Sequence, residues 1–134
     1  MKIVIDSNRV IAALIKDSTT REILFNSRFY FVAPEFLKDE VLKYRSQLVK
    51  KAKIQADEFN ILFSILFEKI SLTPKKGYEK YIKKLKSEIP DPKDIPYLAC
   101  NIATKADGIW SHDPHFQKQT KIKVYTNNDL LKLV

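Results

Sequence analysis

Two patterns alternate along the chain. Short unbroken apolar runs, such as Ile3-Val4-Ile5, have the character of strands covered on both faces. Between them lie segments with apolar residues three and four positions apart, the spacing of a helix with one buried side. On this reading strands cover 2–6, 29–33, 70–72, 109–111 and 122–125. Helices cover 8–14, a segment beginning at Ser18 or Thr19, a stretch from Pro34 through Leu48, and then 55–69, 78–89, 95–104 and 129–133. Thr19 and Glu22 stand at capping-box spacing. Asn127 or Asn128 is the expected cap of the last helix.

Strands alternating with helices imply a mostly parallel central sheet with helices on both faces, an α/β/α sandwich of three layers. The chain shows no repeat, linker or low-complexity tract, so one domain spanning 1–134 is expected. The 55–69 helix is apolar around most of its circumference, through Phe59, Ile61, Leu62, Phe63, Ile65, Leu66 and Phe67. Such a helix is deeply buried or shared with another chain; in so small a domain a partner surface is the expectation. In the 78–89 helix, Tyr78, Ile82, Leu85 and Ile89 form the apolar stripe, and Lys80, Lys83, Lys84 and Lys86 take the rest. A lysine-rich face is usually only solvated, but Lys80, Lys83 and Lys84 are also candidates to meet a phosphate backbone.

Composition narrows the function classes. A hydrophobic fraction of 45% with 11% aromatic residues suits a folded core. Only two glycines occur, Gly77 and Gly108, which removes glycine-rich phosphate loops. Lys and Arg number 24 against 16 acidic residues, a net charge of +8 that attracts polyanions such as RNA. Cys100 is the only cysteine and sits in the apolar run YLACNIA, so it is expected to be a small buried residue with no disulfide partner in the chain. With no signal-peptide pattern and no apolar stretch of membrane-spanning length, a cytoplasmic protein without a membrane partner is expected.

Four acids stand out against this background. Asp6 ends the first apolar run, Glu40 lies early in a helix, Asp94 opens another helix, and Asp113 follows a strand. In a parallel sheet Asp6 and Asp113 fall at carboxyl ends of strands, the edge where such folds place their ligand crevice. Each has an ordinary role as well. Asp6 can cap a helix, and Glu40 can pair with Lys43 or Tyr44 one turn on. Asp94 before Ile95-Pro96 is a credible helix cap, with Asp91 its rival. Asp113-Pro114 can be a simple turn that Ser111 supports. Asp39 points away from Glu40 around its helix and is not expected to share a pocket with it. His112 and His115 are expected to be polar loop residues, since nothing completes a zinc site around them. Carboxylates brought together resist ionisation, and a hard divalent cation such as Mg²⁺ or Mn²⁺ relieves the conflict. A phosphoryl-acceptor fold built on Asp6 is disfavoured, because Asp6-Ser7-Asn8 lacks a second carboxylate.

VIDSN at the start, DEV in the third helix, DPKDIPYLACNIATKADGIWSHD in the last third and HF after it resemble the PIN-domain ribonucleases, in particular small stand-alone toxins of the VapC type. The motifs keep that family's order over nearly the whole length. The resemblance implies that Asp6, Glu40, Asp94 and Asp113, with Asp91 as a further candidate, hold Mg²⁺ or Mn²⁺, and that Asn8 and Ser111 orient those ligands. It implies metal-assisted hydrolysis of RNA phosphodiester bonds, leaving a 5′-phosphate and a 3′-hydroxyl. It also implies a homodimer and a cognate antitoxin protein. The alternatives are a PIN-like domain that binds RNA or a protein without cutting, or a processing nuclease that is not a toxin. Two positions depart from the family pattern. Arg9 replaces an aliphatic residue, placing it to reach RNA or to disturb the entrance. His115 replaces a carboxylate, which puts a second metal in doubt.

Overall fold

Ile3, Val4 and Ile5 sit in the middle of the sheet and are fully buried. The computed structural model describes residues 1–15, 17–87 and 91–134. Their strand β1 (Lys2–Ile5) pairs in parallel with β2 (Tyr30–Pro34) on one side and β4 (Gly108–Trp110) on the other. β3 (Ile70–Thr73) lies outside β2, and β5 (Val124–Tyr125) outside β4. The order β3-β2-β1-β4-β5 is parallel throughout. Ile3 and Ile5 pack into one core layer with Phe31, Trp110 and Tyr125, while Val4 joins Val32 and Ile109 in the other. That two-sided burial is why these strands are continuous apolar runs rather than alternating ones.

The first core layer is closed by α1 (Ser7–Leu14), α2 (Ser18–Leu24), α3 (Phe36–Lys43), α4 (Arg45–Ala52), α5 (Ala56–Glu68) and α9 (Asn127–Leu131). The second is closed by α6 (Lys75–Lys86), α7 (Ile95–Thr104) and the short α8 (Pro114–Gln117). The expected three-layer arrangement is therefore present. The α6 stripe holds at Tyr78, Ile82 and Leu85, which pack in this second layer; its expected last member, Ile89, lies outside the described residues.

Several local expectations need correction. Pro34 ends β2 instead of opening a helix, because it is still in register with Thr73 of β3. The stretch after it is two helices. Tyr44 leaves helical geometry (φ −100°, ψ 11°), and its N–H bonds to the Val41 carbonyl at 3.1 Å, a tightened final turn. α2 is capped by Asp17, whose carboxylate accepts from the Thr20 N–H at 2.9 Å, and not by Ser18 or Thr19. α9 is capped by Thr126 in a capping box with Asp129. Asn127 instead accepts from the Trp110 indole N–H at 2.8 Å. α5 buries Phe59, Phe63 and Leu66 but leaves Ile61 63% exposed, so it is a one-sided helix with an apolar outer face.

Candidate active site

β1 and β4 are neighbours although more than a hundred residues separate them: the chain first builds β2 and β3 on one side of β1, then returns to build β4 and β5 on the other. Their carboxyl ends therefore flank a switch point, where open parallel sheets form a crevice. Asp6 leaves β1 there, and its N–H bonds to the Trp110 carbonyl at 3.4 Å. Asp6 Oδ1 accepts from the Arg9 N–H at 3.0 Å, capping α1, while Oδ2 accepts from the Ser111 hydroxyl. Ser111 Oγ in turn accepts from the Asp113 N–H at 2.9 Å. One fully buried hydroxyl thus ties the first acid to the last. Asp113 also caps α8, its Oδ1 accepting from the His115 N–H at 2.9 Å.

A cavity of about 530 Å³ opens at this edge, and Asp6, Glu40, Asp94 and Asp113 all line it. Asn8 and Lys43 line it as well. Burial is the main force on the Asp6 carboxyl; it outweighs the hydrogen bonds from Ser111 and Arg9 and pushes the pKa up to about 6. Asp94 is also raised to about 6, by burial first and then by the Asp91 and Asp113 charges. Asp94 occupies the cap position of α7 but makes no capping hydrogen bond. The expected role of Asp94 as a cap is therefore corrected: its backbone is helical (φ −79°, ψ −28°), which directs the carboxylate elsewhere. Asp91 Oδ1 instead accepts from the Lys93 N–H at 2.9 Å.

Other placements differ from the sequence reading. Asp39 lines the same cavity as Glu40, despite their angular separation on α3. His115 is not a detached loop residue, because its Nδ1 lies 3.4 Å from both Asp91 Oδ2 and Asp113 Oδ1. Arg9 lies outside the cavity lining. Its guanidinium donates to Thr20 Oγ1 at 3.4 Å, on the α2 side. Lys80, Lys83 and Lys84 are exposed on α6 and also lie outside the lining.

Tyr97 was missed by sequence reasoning. It is buried, lines the cavity, and donates from its hydroxyl to Glu40 Oε2 at 3.5 Å. Burial and the neighbouring Glu40 charge push its pKa upward, so it remains a neutral donor. Its position three residues after Asp94 places both on one side of α7, a spacing legible in the sequence.

The residues fit a divalent cation on two grounds. Hard oxygen donors predominate, and Asp94 is a buried carboxylate without a hydrogen bond or ion pair among the described residues. Asp91, Asp94 and His115 each offer a donor atom, and these atoms lie within 4.8 Å of one another. Among the described residues, no helix is long and apolar enough to cross a membrane. The family model described as "PIN domain" matches residues 4–128. No curated protein matches the sequence.

Proposed function

The chain belongs to the PIN domain family, a nuclease fold, and from that premise we propose that it is a metal-dependent endoribonuclease, the toxin of a toxin–antitoxin pair. The reading takes residues 1–134 as one nuclease domain. The observation that carries it is the buried Asp94 carboxylate, without a hydrogen bond or ion pair among the described residues, beside a cavity that Asp6, Glu40 and Asp113 also line. These four acids hold Mg²⁺ or Mn²⁺, with Asp91 at the edge of the set. When bound, the cation makes water a better nucleophile at phosphorus and screens the charge that gathers on the phosphate oxygens. Water adds to phosphorus, the bond to the 3′ oxygen breaks, and that oxygen takes a proton. The products are a 3′-hydroxyl and a 5′-phosphate.

The chain's own side chains have separate tasks in this scheme. Ser111 orients Asp6 and the Asp113 backbone, and Tyr97 orients Glu40. Asn8, at the cavity wall, is available to steady a ligand or the RNA. Lys43 and Lys93 line the same cavity and offset the repulsion between its carboxylates and an approaching phosphate backbone. Lys80, Lys83 and Lys84 lie farther out and extend this attraction. Arg9, one guanidinium nitrogen of which donates to Thr20 on the α2 side, is a candidate to meet RNA outside the cavity. The outer face of α5, with Ile61 and Ile65 exposed, supports a second copy of the chain or an antitoxin as its partner. A cytoplasmic location accompanies this role.

The test is cleavage of end-labelled RNA by purified protein with Mn²⁺ or Mg²⁺. Wild type cuts, chelator stops it, and Asp6→Asn and Asp113→Asn lose activity by a hundredfold or more while remaining folded. Undiminished cleavage by Asp6→Asn would overturn the mechanism. Binding of RNA without cleavage under any metal would favour the non-cutting alternative, as would a His115 that holds Asp91 and Asp113 in place of a metal.

A further inference from the structure

Among the described residues, the group of potential metal donors that lies closest together is not the four acids. It is Asp91, Asp94 and His115, one of which is an imidazole. His115 is held at this place by α8: Asp113 caps the helix, the His115 N–H donates to that cap, and Nδ1 comes within 3.4 Å of carboxylate oxygens of both Asp91 and Asp113. Asp94 supplies the second, independent sign of a ligand, as a buried carboxylate lining the cavity with no hydrogen bond or ion pair among the described residues. A protonated imidazole could satisfy Asp91 and Asp113, but it leaves Asp94 without a bond.

We propose that His115 is a metal ligand, and that its imidazole makes this site prefer first-row transition cations to Mg²⁺. The inference rests on the metal-dependent reading above. Mg²⁺ demands compact octahedral oxygen coordination and gives up water reluctantly. A nitrogen donor brings little to Mg²⁺ but strengthens binding in the order Mn²⁺, then Fe²⁺ and Co²⁺. The side chain of His115 is 53% exposed, so its replacement leaves the core intact.

The experiment measures cation binding to the full chain, without RNA. Isothermal titration with Co²⁺, Mn²⁺ and Mg²⁺ compares wild type with His115→Asp and His115→Ala. Pulsed electron paramagnetic resonance of bound Mn²⁺ looks for modulation by a directly coordinated ¹⁴N. Wild type should show that nitrogen signal and favour Co²⁺ over Mg²⁺. His115→Ala should lose the signal and weaken Co²⁺ binding by roughly tenfold or more. His115→Asp should also lose it and narrow the Co²⁺/Mg²⁺ preference. Mn²⁺ that binds with no nitrogen signal, or a preference unmoved in His115→Asp, overturns the role of His115 while leaving the nuclease reading in place. If no divalent cation binds, both fall together.

Discussion

Ser111 serves two groups at once, donating to the Asp6 carboxylate and accepting from the Asp113 N–H, with no access to solvent. Ser111→Ala removes one bond from a buried carboxylate and orphans a backbone donor. It should lower stability on the order of 1–3 kcal/mol, read from urea unfolding, and should weaken metal binding with it. Asp6 governs a second measurable property. Its carboxyl is raised from 3.8 to about 6 by burial, so between those values the folded protein keeps a proton that the unfolded chain has released. Stability from this group is thus fully present below the lower value and is lost as pH rises through the upper one, by roughly 3 kcal/mol in all. Asp94 acts in the same direction. In chelator, thermal unfolding of wild type between pH 4 and 7 should show this decline. Asp6→Asn should flatten it and raise the melting temperature at pH 7.

At the scale of elements, β4 and α7 position the candidate site residues, and both depend on close packing. A Cβ placed on Gly108 would lie 2.5 Å from the Lys123 carbonyl oxygen and 2.5 Å from Tyr125 Cε2. The carbonyl is backbone of the neighbouring β5 segment, so it yields only if the pairing shifts. Gly108→Ala should therefore destabilise by about 1–3 kcal/mol in chemical denaturation. Because Ser111 and Asp113 follow β4 directly, Mn²⁺-dependent thermal stabilisation should shrink in the same variant. α7 shows how one helix carries two tasks. Its buried face includes Leu98, Ala99 and Cys100, and its first turn brings Asp94 and Tyr97 to the cavity. The Cys100 thiol, pushed up to about 11 by burial, is inert packing, as its apolar neighbours led one to expect.

The whole molecule combines a net charge of +8 with an acidic cavity. On the proposed reading, surface lysines attract the nucleic acid, and the carboxylates are neutralised locally by metal. This division predicts steep salt dependence. Measured with Asp6→Asn, which binds without cutting, affinity for single-stranded RNA should fall as salt rises from about 50 to 200 mM, with a log–log slope set by the number of phosphate contacts. A Lys80→Glu, Lys83→Glu, Lys84→Glu variant should bind more weakly with a shallower slope, by fluorescence anisotropy. It should remain folded, with a modestly lower melting temperature, because the side chains are solvent-exposed but Lys83 and Lys84 lie in the last turn of α6 and Lys80 sits over the Tyr81 ring.

Short apolar runs and helical spacing were enough to locate five strands, the parallel sandwich, and the two acids that end β1 and follow β4. These features are local: each run reports how its own segment is buried. The same local signal placed helix caps one or two residues away at Asp17 and Thr126, since several neighbouring polar residues compete for each cap. Strand order was beyond it. Nothing in the composition of a strand says that β1 lies beside β4, yet that pairing alone brings Ser111 to Asp6. Tertiary structure likewise decided that Asp94 turns from capping to the cavity, that Tyr97 meets Glu40, and that His115 stands among the acids. Each depends on the angle at which one element meets another, a quantity set by packing between distant segments and not by the residues of either segment alone.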